Sequence, residues 1–350
     1  MFSKKSAFVR GLEIGGKAPV RVQTMYDSTL VNADASAILR YISKLAAMGC
    51  ELMRFSFVSS EDVPVFTRIC KASPIPIVAD IHFDYKMAIL ALECGADKIR
   101  INPGNIGAKW KTLEVLKAAK DHNAAIRIGL NTGSLPENTK GLSKSDLMVE
   151  TALEYLNDFE SAAFYNTVVS LKSSTLDITY DSYKKFASLS DYPLHLGVTE
   201  AGSTLTSAIR STWTLGNLLK ENIGDTIRIS ITGSLENEVQ AGVEILRTLG
   251  LRKTGVRIVS CPRCGRHSFD SQGFLAEVEP ELLSLSSDIT VAIMGCQVNG
   301  PGEAKGADVA VTGIGNKVFL YKKGELYKQV NRDNAKDELF SCIKELSDNE

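Results

Sequence analysis

Eight short β-rich runs alternate with helical patterns over the first 250 residues, and few folds can absorb such a chain. The runs are Val20–Met25, Leu52–Phe57, Ile75–Ile81, Lys98–Ile101, Ala125–Leu130, Thr167–Lys172, Leu194–Val198 and Thr226–Ile231. Between them, apolar residues recur at helical spacing, as at Ile38, Ile42 and Leu45, or at Leu113, Leu116 and Ala119. Glu236–Leu249 supplies a helix after the eighth run. A doubly wound open sheet also alternates strand and helix. Eight strand–helix units in about 250 residues are what a TIM (β/α)8 barrel requires, and the count favours the barrel. One interval is long. Asn131–Lys144 is rich in Gly, Ser and Asn and reads as an enlarged loop at the barrel mouth; Asp146–Leu156 then reads as its helix.

Nearly every run carries a polar residue at or near its end. The first ends near Gln23, the second holds Arg54, and the third closes on Asp80-Ile81-His82. The fourth carries Arg100, the fifth Arg127 and then Asn131, and the sixth ends at Lys172. The seventh leads to Thr199-Glu200, and the eighth carries Arg228 and Ser230. Polar side chains inside apolar strands are costly unless paired or used. In a TIM barrel these positions face the C-terminal mouth, where active sites form. Four arginines and one lysine from five strands, with Asp80 and Glu200 opposing, make a converging excess of positive charge. Its natural ligand is a phosphate or diphosphate.

After residue 250 the pattern changes. Val256–Ser260 is a strand-like run that ends in Cys261-Pro262-Arg263-Cys264; Ser271–Leu285 is helix-like; Ile289–Met294 runs into Gly295-Cys296. Asp308–Thr312 and Val318–Tyr321 are further strand candidates, and Asn334–Leu346 a closing helix, so this segment reads as a small α+β module. Cys-x-x-Cys can be a redox pair, half of a zinc site or part of an iron–sulfur site. The third cysteine in a Gly-rich corner favours metal over a dithiol, with His267 and Glu303 as the non-thiol candidates. Cys₃His zinc and a three-cysteine iron cluster with Glu303 as an oxygen ligand both fit. Cys50, Cys70 and Cys94 sit beside apolar residues near helix ends and read as small buried thiols. Cys342 falls in the last helix pattern. His122 and His195 stand in no motif, and His195 reads as a core histidine.

Composition narrows the rest. Lys+Arg number 40 against Asp+Glu 41, so no global basic field or basic tail marks a nucleic-acid binder. No apolar run approaches the ~18 residues of a membrane helix. Met1-Phe2-Ser3-Lys4-Lys5 has no apolar stretch behind it, and seven cysteines, an odd number, suit reduced or metal-bound thiols. A cytoplasmic protein is expected.

Five stretches together carry a family resemblance. They are Ala79-Asp80-Ile81-His82-Phe83, Arg100–Gly107, Thr199-Glu200-Ala201-Gly202, Cys261–Arg266 and Gly295–Ala304. In combination they resemble the 4-hydroxy-3-methylbut-2-enyl diphosphate synthases, iron–sulfur oxidoreductases of the methylerythritol phosphate route to isoprenoids. The resemblance implies a TIM barrel over 1–250 that binds the substrate diphosphate. It implies an α+β domain over 251–350, similar to domains of sulfite reductases, that binds a [4Fe-4S] cluster. Cys261, Cys264, Cys296 and Glu303 match the cluster ligands. Arg54, His82, Arg100, Arg127, Lys172, Arg228 and Ser230 match residues that hold the diphosphate of methylerythritol cyclodiphosphate, with Asp80 and Asn131 shaping the pocket. Glu200 matches the proton donor to the departing hydroxyl. Flavodoxin or ferredoxin as electron donor is implied too, as is a homodimer in which the cluster of one subunit serves the barrel of the other. Two other readings fit the residues: a zinc-stabilised phosphate-binding barrel with redox-free chemistry, and a non-enzymatic iron–sulfur carrier or sensor. Neither membrane nor nucleic acid is expected as a partner.

Overall fold

The structure, a computed structural model, describes residues 3–253, 255–262, 264–285, 287–296, 302 and 305–347. The chain divides into two units, Met1–Arg252 and Lys253–Glu350.

The first unit opens with an antiparallel hairpin, β1 (Ser6–Val9) and β2 (Leu12–Gly15). Arg10 and Gly11 both take positive φ at its two-residue turn, the twist-matched geometry that glycine makes accessible. Eight parallel strands follow: β3 (Arg21–Met25), β4 (Leu52–Ser56), β5 (Ile77–Asp80), β6 (Lys98–Ile101), β7 (Ala125–Asn131), β8 (Thr167–Lys172), β9 (His195–Leu196) and β10 (Thr226–Ile227). They pair in the order β8-β7-β6-β5-β4-β3-β10-β9, and a parallel bridge between Val169 and Leu194 joins the two ends. This is the barrel that the eight runs imply.

Helices return each strand to the next: α1 (Ala35–Ala47), α2 (Val63–Ala72), α3 (Tyr85–Glu93), α4 (Pro103–Ile106) with α5 (Lys109–Asp121), α6 (Lys144–Ser161), α7 (Leu176–Leu189), α8 (Thr204–Lys220) and α9 (Leu235–Thr248). Side-chain caps fix several starts. Asp34 accepts from Ser36 N–H, Asp84 from Lys86, Asn102 from Gly104 and Ser234 from Asn237. Strands β5, β6 and β8 are buried along their whole length, as strands wrapped by helices must be. Most core residues lie between strands and helices.

A second apolar cluster seals the barrel floor. Ala7, Val9 and Ile14 of the hairpin pack against Leu52, Val78, Ala125 and Val168. These four sit at or near the N-terminal ends of their strands. The hairpin, with arms of four residues each, lies outside the eight runs read from the sequence.

The seventh and eighth strands are shorter than their apolar runs. Between β8 and β9 a side chain stands in for the backbone ladder. Val169 N–H reaches Pro193 O at 2.8 Å, but Leu171 N–H donates to the Tyr183 hydroxyl at 3.1 Å. That hydroxyl in turn donates to His195 O at 2.6 Å. Tyr183, from α7, thereby wedges the seam of the barrel.

The second unit holds a five-stranded mixed sheet in the order β11 (Arg257–Ser260), β12 (Thr290–Ile293), β13 (Val309–Ile314), β14 (Lys317–Lys322) and β15 (Glu325–Asn331). The first three strands are parallel, and the last two add antiparallel. Helices α10 (Ser271–Leu282) and α11 (Ala335–Ser347) bury Phe274, Val278, Leu339 and Ile343 against it, with Cys342 in the same core. β15 is the strand that the sequence conceals, since six of its seven residues are exposed and show no alternation.

Tyr183→Phe would strand two buried backbone groups at the seam. A loss of about 1–3 kcal/mol in barrel stability by urea unfolding is expected. An unchanged midpoint would show that β8 and β9 pair directly once the hydroxyl is gone.

Candidate functional site

Asp80, at the end of β5, organises the barrel mouth. Its carboxylate lies 3.5 Å from Arg54 Nη2, 3.3 Å from Arg100 Nη1 and 3.4 Å from His82 Nε2. The sheet register sets this up, because Asp80 pairs with Arg100 and Arg100 with Arg127 on successive strands. Burial alone would raise the Asp80 carboxyl. Arg54, the His82 hydrogen bond, Arg100 and Arg127 outweigh it and hold the group well below the usual carboxylate range.

One carboxylate does not balance this cluster. Arg127 is 1% exposed, and its Nε and Nη1 have no hydrogen-bond partner among the described residues. Burial, then Arg54 and Arg100, disfavour its charge. A guanidinium does not shed its proton, so the charge stays and calls for an anion. Arg54 is likewise pushed down, to about 10, by burial and by Arg228 and Arg100 against the pull of Asp80. Arg100 gives its other nitrogen to Gly129 O at 2.9 Å, and a Cβ at Gly129 would press on the Arg100 side chain. Glycine in a strand interior here marks a lane for a neighbouring cation.

Two lysines complete the lumen. Lys172, last in β8, points at His195 Nε2 from 3.2 Å and pairs along the sheet with Asn131. Burial and the four arginines Arg127, Arg54, Arg228 and Arg100 push its pKa well down. Lys98 on β6 is fully buried and donates to Gln23 Oε1 at 3.4 Å, while Gln23 Nε2 is left without a partner among the described residues. Burial, Arg127 and Arg54 depress Lys98 as well. Lys98 and His195 are additions to the polar set expected from the strand ends.

Arg228 corrects the expectation that only Asp80 and Glu200 oppose the cations. Glu238 of α9 receives Arg228 Nε at 3.1 Å and Nη2 at 2.8 Å, together with Thr24 Oγ1 at 2.6 Å and Ile231 N–H at 3.0 Å. Arg228 is therefore already neutralised, and the surplus rests on Arg54, Arg100 and Arg127. The signal for Glu238 lay in its position, one residue before Val239 on the apolar face of α9. A cavity of about 430 Å³ opens beside this pair, lined also by Met25, Tyr26 and Ser56.

The remaining mouth residues are less tightly drawn in. Ser230 is half-buried, and its carbonyl accepts from Ser207 Oγ at 2.7 Å. Asn131 is half-buried at the end of β7. His82 keeps about half of its side chain exposed (48%) while touching Asp80. Glu200 is exposed, with φ of +53°, and makes no hydrogen bond or ion pair among the described residues. A non-glycine residue in the left-handed region is a strained conformation that its surroundings must hold.

In the second unit, Cys261 and Cys296 follow the C-terminal ends of the adjacent parallel strands β11 and β12. Gly295 N–H donates to Cys261 Sγ at 3.1 Å, and Thr312 Oγ1 donates to Cys296 O at 3.0 Å. A Cβ on Gly295 would come 2.9 Å from Ser271 Oγ and 3.4 Å from Cys261 Sγ, so glycine keeps this corner open. Cys264 is exposed, and its carbonyl accepts from the backbone N–H of His267 at 3.0 Å. All three thiols are free of disulfides. Arg263 and Glu303 lie outside the described residues. Among the described residues, no three His, Cys, Asp or Glu side chains converge on a single metal ion. A cluster, which binds each thiolate to a different iron, spreads its ligands wider than a single zinc does. Cys261, which already receives an N–H beside an open glycine corner, and Cys296, after the neighbouring parallel strand, fit such a group.

The charge state of Lys98 is open to measurement. Burial lowers the Lys98 pKa in the fold, so the unfolded lysine holds its proton to higher pH than the folded one, and the parent gains stability as pH rises toward 10.5. Relative to Lys98→Met, the parent should gain stability on raising the pH from 8 to 10, by at most about 1.4 kcal/mol per pH unit. Urea unfolding of both proteins gives the difference; a flat difference means that Lys98 stays charged in the barrel.

Comparison with known proteins agrees with both units. The GcpE TIM-barrel domain matches residues 4–243, and the GcpE protein C-terminal domain matches residues 257–345. A Treponema denticola protein named 4-hydroxy-3-methylbut-2-en-1-yl diphosphate synthase (flavodoxin) is 42% identical, covering 94% of this chain and 91% of its own. The Geobacter sulfurreducens protein of that name is 42% identical over 97% of this chain and 96% of its own. Among solved structures, Xanthomonas albilineans dihydropteroate synthase covers 70% of this chain and 96% of its own at a TM-score of 0.50 and 15% identity, a likeness of fold. The chain belongs to the GcpE family, that of the 4-hydroxy-3-methylbut-2-en-1-yl diphosphate synthases.

Proposed function

We infer that this chain opens the ring of 2-C-methyl-D-erythritol 2,4-cyclodiphosphate and dehydrates it to (E)-4-hydroxy-3-methylbut-2-enyl diphosphate. It is an oxidoreductase of isoprenoid biosynthesis. The observation that carries the reading is the uncompensated charge of the guanidiniums Arg54, Arg100 and Arg127 around the carboxylate of Asp80. A diphosphate supplies what that lumen lacks. Arg100 and Arg54, held by Asp80, present their remaining N–H groups to it, and Arg127 uses its unpartnered Nε and Nη1. His82, Arg228, Ser230 and Asn131 complete the rim.

The reaction takes two electrons and one proton. One ring carbon–oxygen bond breaks, its oxygen stays on phosphorus, and a hydroxyl departs as water. A [4Fe-4S] cluster held by Cys261, Cys264, Cys296 and Glu303 would supply the one-electron chemistry. Gly295 N–H, at 3.1 Å from Cys261 Sγ, stabilises thiolate charge there. Glu200 gives its proton to the departing hydroxyl once substrate and its surroundings have taken this exposed side chain out of water. Flavodoxin is the proposed electron donor, after the names of the relatives, and the working unit is a homodimer in the cytoplasm. No helix among the described residues is long and apolar enough to cross a membrane.

Two experiments test this. Anaerobic purification should give a brown protein with about four irons per chain, and Cys296→Ser should lose them. A colourless protein that binds zinc and resists iron and sulfide reconstitution would overturn the redox reading. Glu200→Gln should bind the cyclodiphosphate within about twofold of the parent while turnover with reduced flavodoxin falls about 10² or more. Full turnover in that variant removes Glu200 from its role.

A further inference from the structure

We propose that His195 is a positioning residue for the diphosphate site: its Nε2 aims the ammonium of Lys172, and Thr226 fixes the tautomer that allows it. The proposal rests on the reading that Lys172 meets the diphosphate.

His195 is fully buried on β9. Its Nε2 is 3.2 Å from Lys172 Nζ, and its Nδ1 is 2.7 Å from Thr226 Oγ1 on β10. Beside a bound diphosphate Lys172 is an ammonium, which can only donate, so Nε2 accepts from it there. A neutral imidazole then carries its single proton on Nδ1 and donates it to Thr226. A protonated ring would turn a second donor toward Lys172. Everything around the ring opposes that. Burial comes first, then Lys172 on β8, Arg127 on β7, Lys98 on β6 and Arg54 on β4, and together they keep the imidazole neutral. Asp225, next to Thr226, is spent elsewhere: its carboxylate accepts from Leu194 N–H at 2.7 Å and Ser3 Oγ at 2.5 Å.

Two features show that the place is built for the lysine. The backbone of His195 is pinned from outside the barrel, where its carbonyl accepts from the Tyr183 hydroxyl at 2.6 Å. Two residues on, just past the end of β9, stands Gly197. A Cβ there would lie 2.6 Å from Lys172 Nζ and 3.0 Å from Cε, so the lysine stem passes over bare backbone. This segment thus offers Lys172 a lane at Gly197 and an acceptor at His195. An ordinary core histidine would satisfy its nitrogens without reaching a site cation.

Calorimetry of the oxidised holoenzyme with methylerythritol cyclodiphosphate, alongside steady-state kinetics, tests this. Asn at 195 reaches Thr226 but falls short of Lys172; Gln places its oxygen near the lost Nε2. His195→Asn should weaken binding and raise KM on the order of tenfold, with a smaller change in kcat. His195→Gln should recover most of that loss, and Thr226→Val, which leaves the ring but frees its tautomer, should weaken binding severalfold. Lys172→Met is the control and should weaken binding at least as much as His195→Asn. If Lys172→Met binds like the parent, the diphosphate reading of Lys172 fails. If Lys172→Met is weak while His195→Asn and Thr226→Val bind like the parent, Lys172 needs no guide and the positioning role is overturned. Should His195→Asn not fold, Thr226→Val decides alone.

Discussion

The barrel interior holds more positive charge than its one central carboxylate can balance, and the rest of the molecule is arranged around that fact. Asp80 touches Arg54, Arg100 and His82 at 3.3–3.5 Å, and Arg127 and Lys98 lie buried beyond its reach. The cations divide into two kinds. Guanidiniums keep their charge whatever it costs, whereas lysine and histidine can give theirs up. Lys98, Lys172 and His195 are all pushed toward their neutral forms. The fixed charges therefore set the field, and the softer groups limit how much it costs in the empty barrel.

That field has force because the side chains that carry it are buried. The hairpin β1–β2 closes the floor with Ala7, Val9 and Ile14, and apolar residues from four strands pack onto it. Charges act more strongly where water is excluded. Close packing explains two glycines. Gly129 and Gly197 hold no side chain where Arg100 and Lys172 cross their strands. Cationic side chains lying sideways in a packed barrel need such lanes, and only glycine leaves room. A floor plug and two missing Cβ atoms are thus part of the site, although neither touches a ligand.

What could be read from the sequence was what is local in it. β4, β6 and β7 each carry an arginine, so Arg54, Arg100 and Arg127 could be placed from the runs that contain them, and the Cys261–Cys264 pair is contiguous. Pairings made by the fold could not be read. Thr24 and Glu238 are 214 positions apart yet hydrogen-bond at 2.6 Å. Glu238 therefore looked like one more helix acid, and Arg228 looked unopposed. Lys98 begins a strand that is buried throughout, where no alternation separates inward from outward residues. Tyr183 is hidden for a related reason: a tyrosine on a helix face reads as packing, and its role at the β8–β9 seam exists only once the barrel closes.

The two units follow one rule with different chemistry. In the barrel the cations gather at and below the C-terminal ends of parallel strands, and in the second unit Cys261 and Cys296 follow the same ends of β11 and β12. Parallel strands release their chain there into loops that are free to serve a ligand. On the proposed reaction, ring opening turns a cyclic diphosphate diester into a linear monoester with one more ionisable oxygen. Negative charge grows on the diphosphate as the bond breaks. A lumen matched only to the substrate would bind both states alike and gain nothing for the chemistry. A lumen with charge to spare favours the state in which that charge develops. The buried surplus on Arg127, costly in the empty barrel, is then the interaction that strengthens along the reaction.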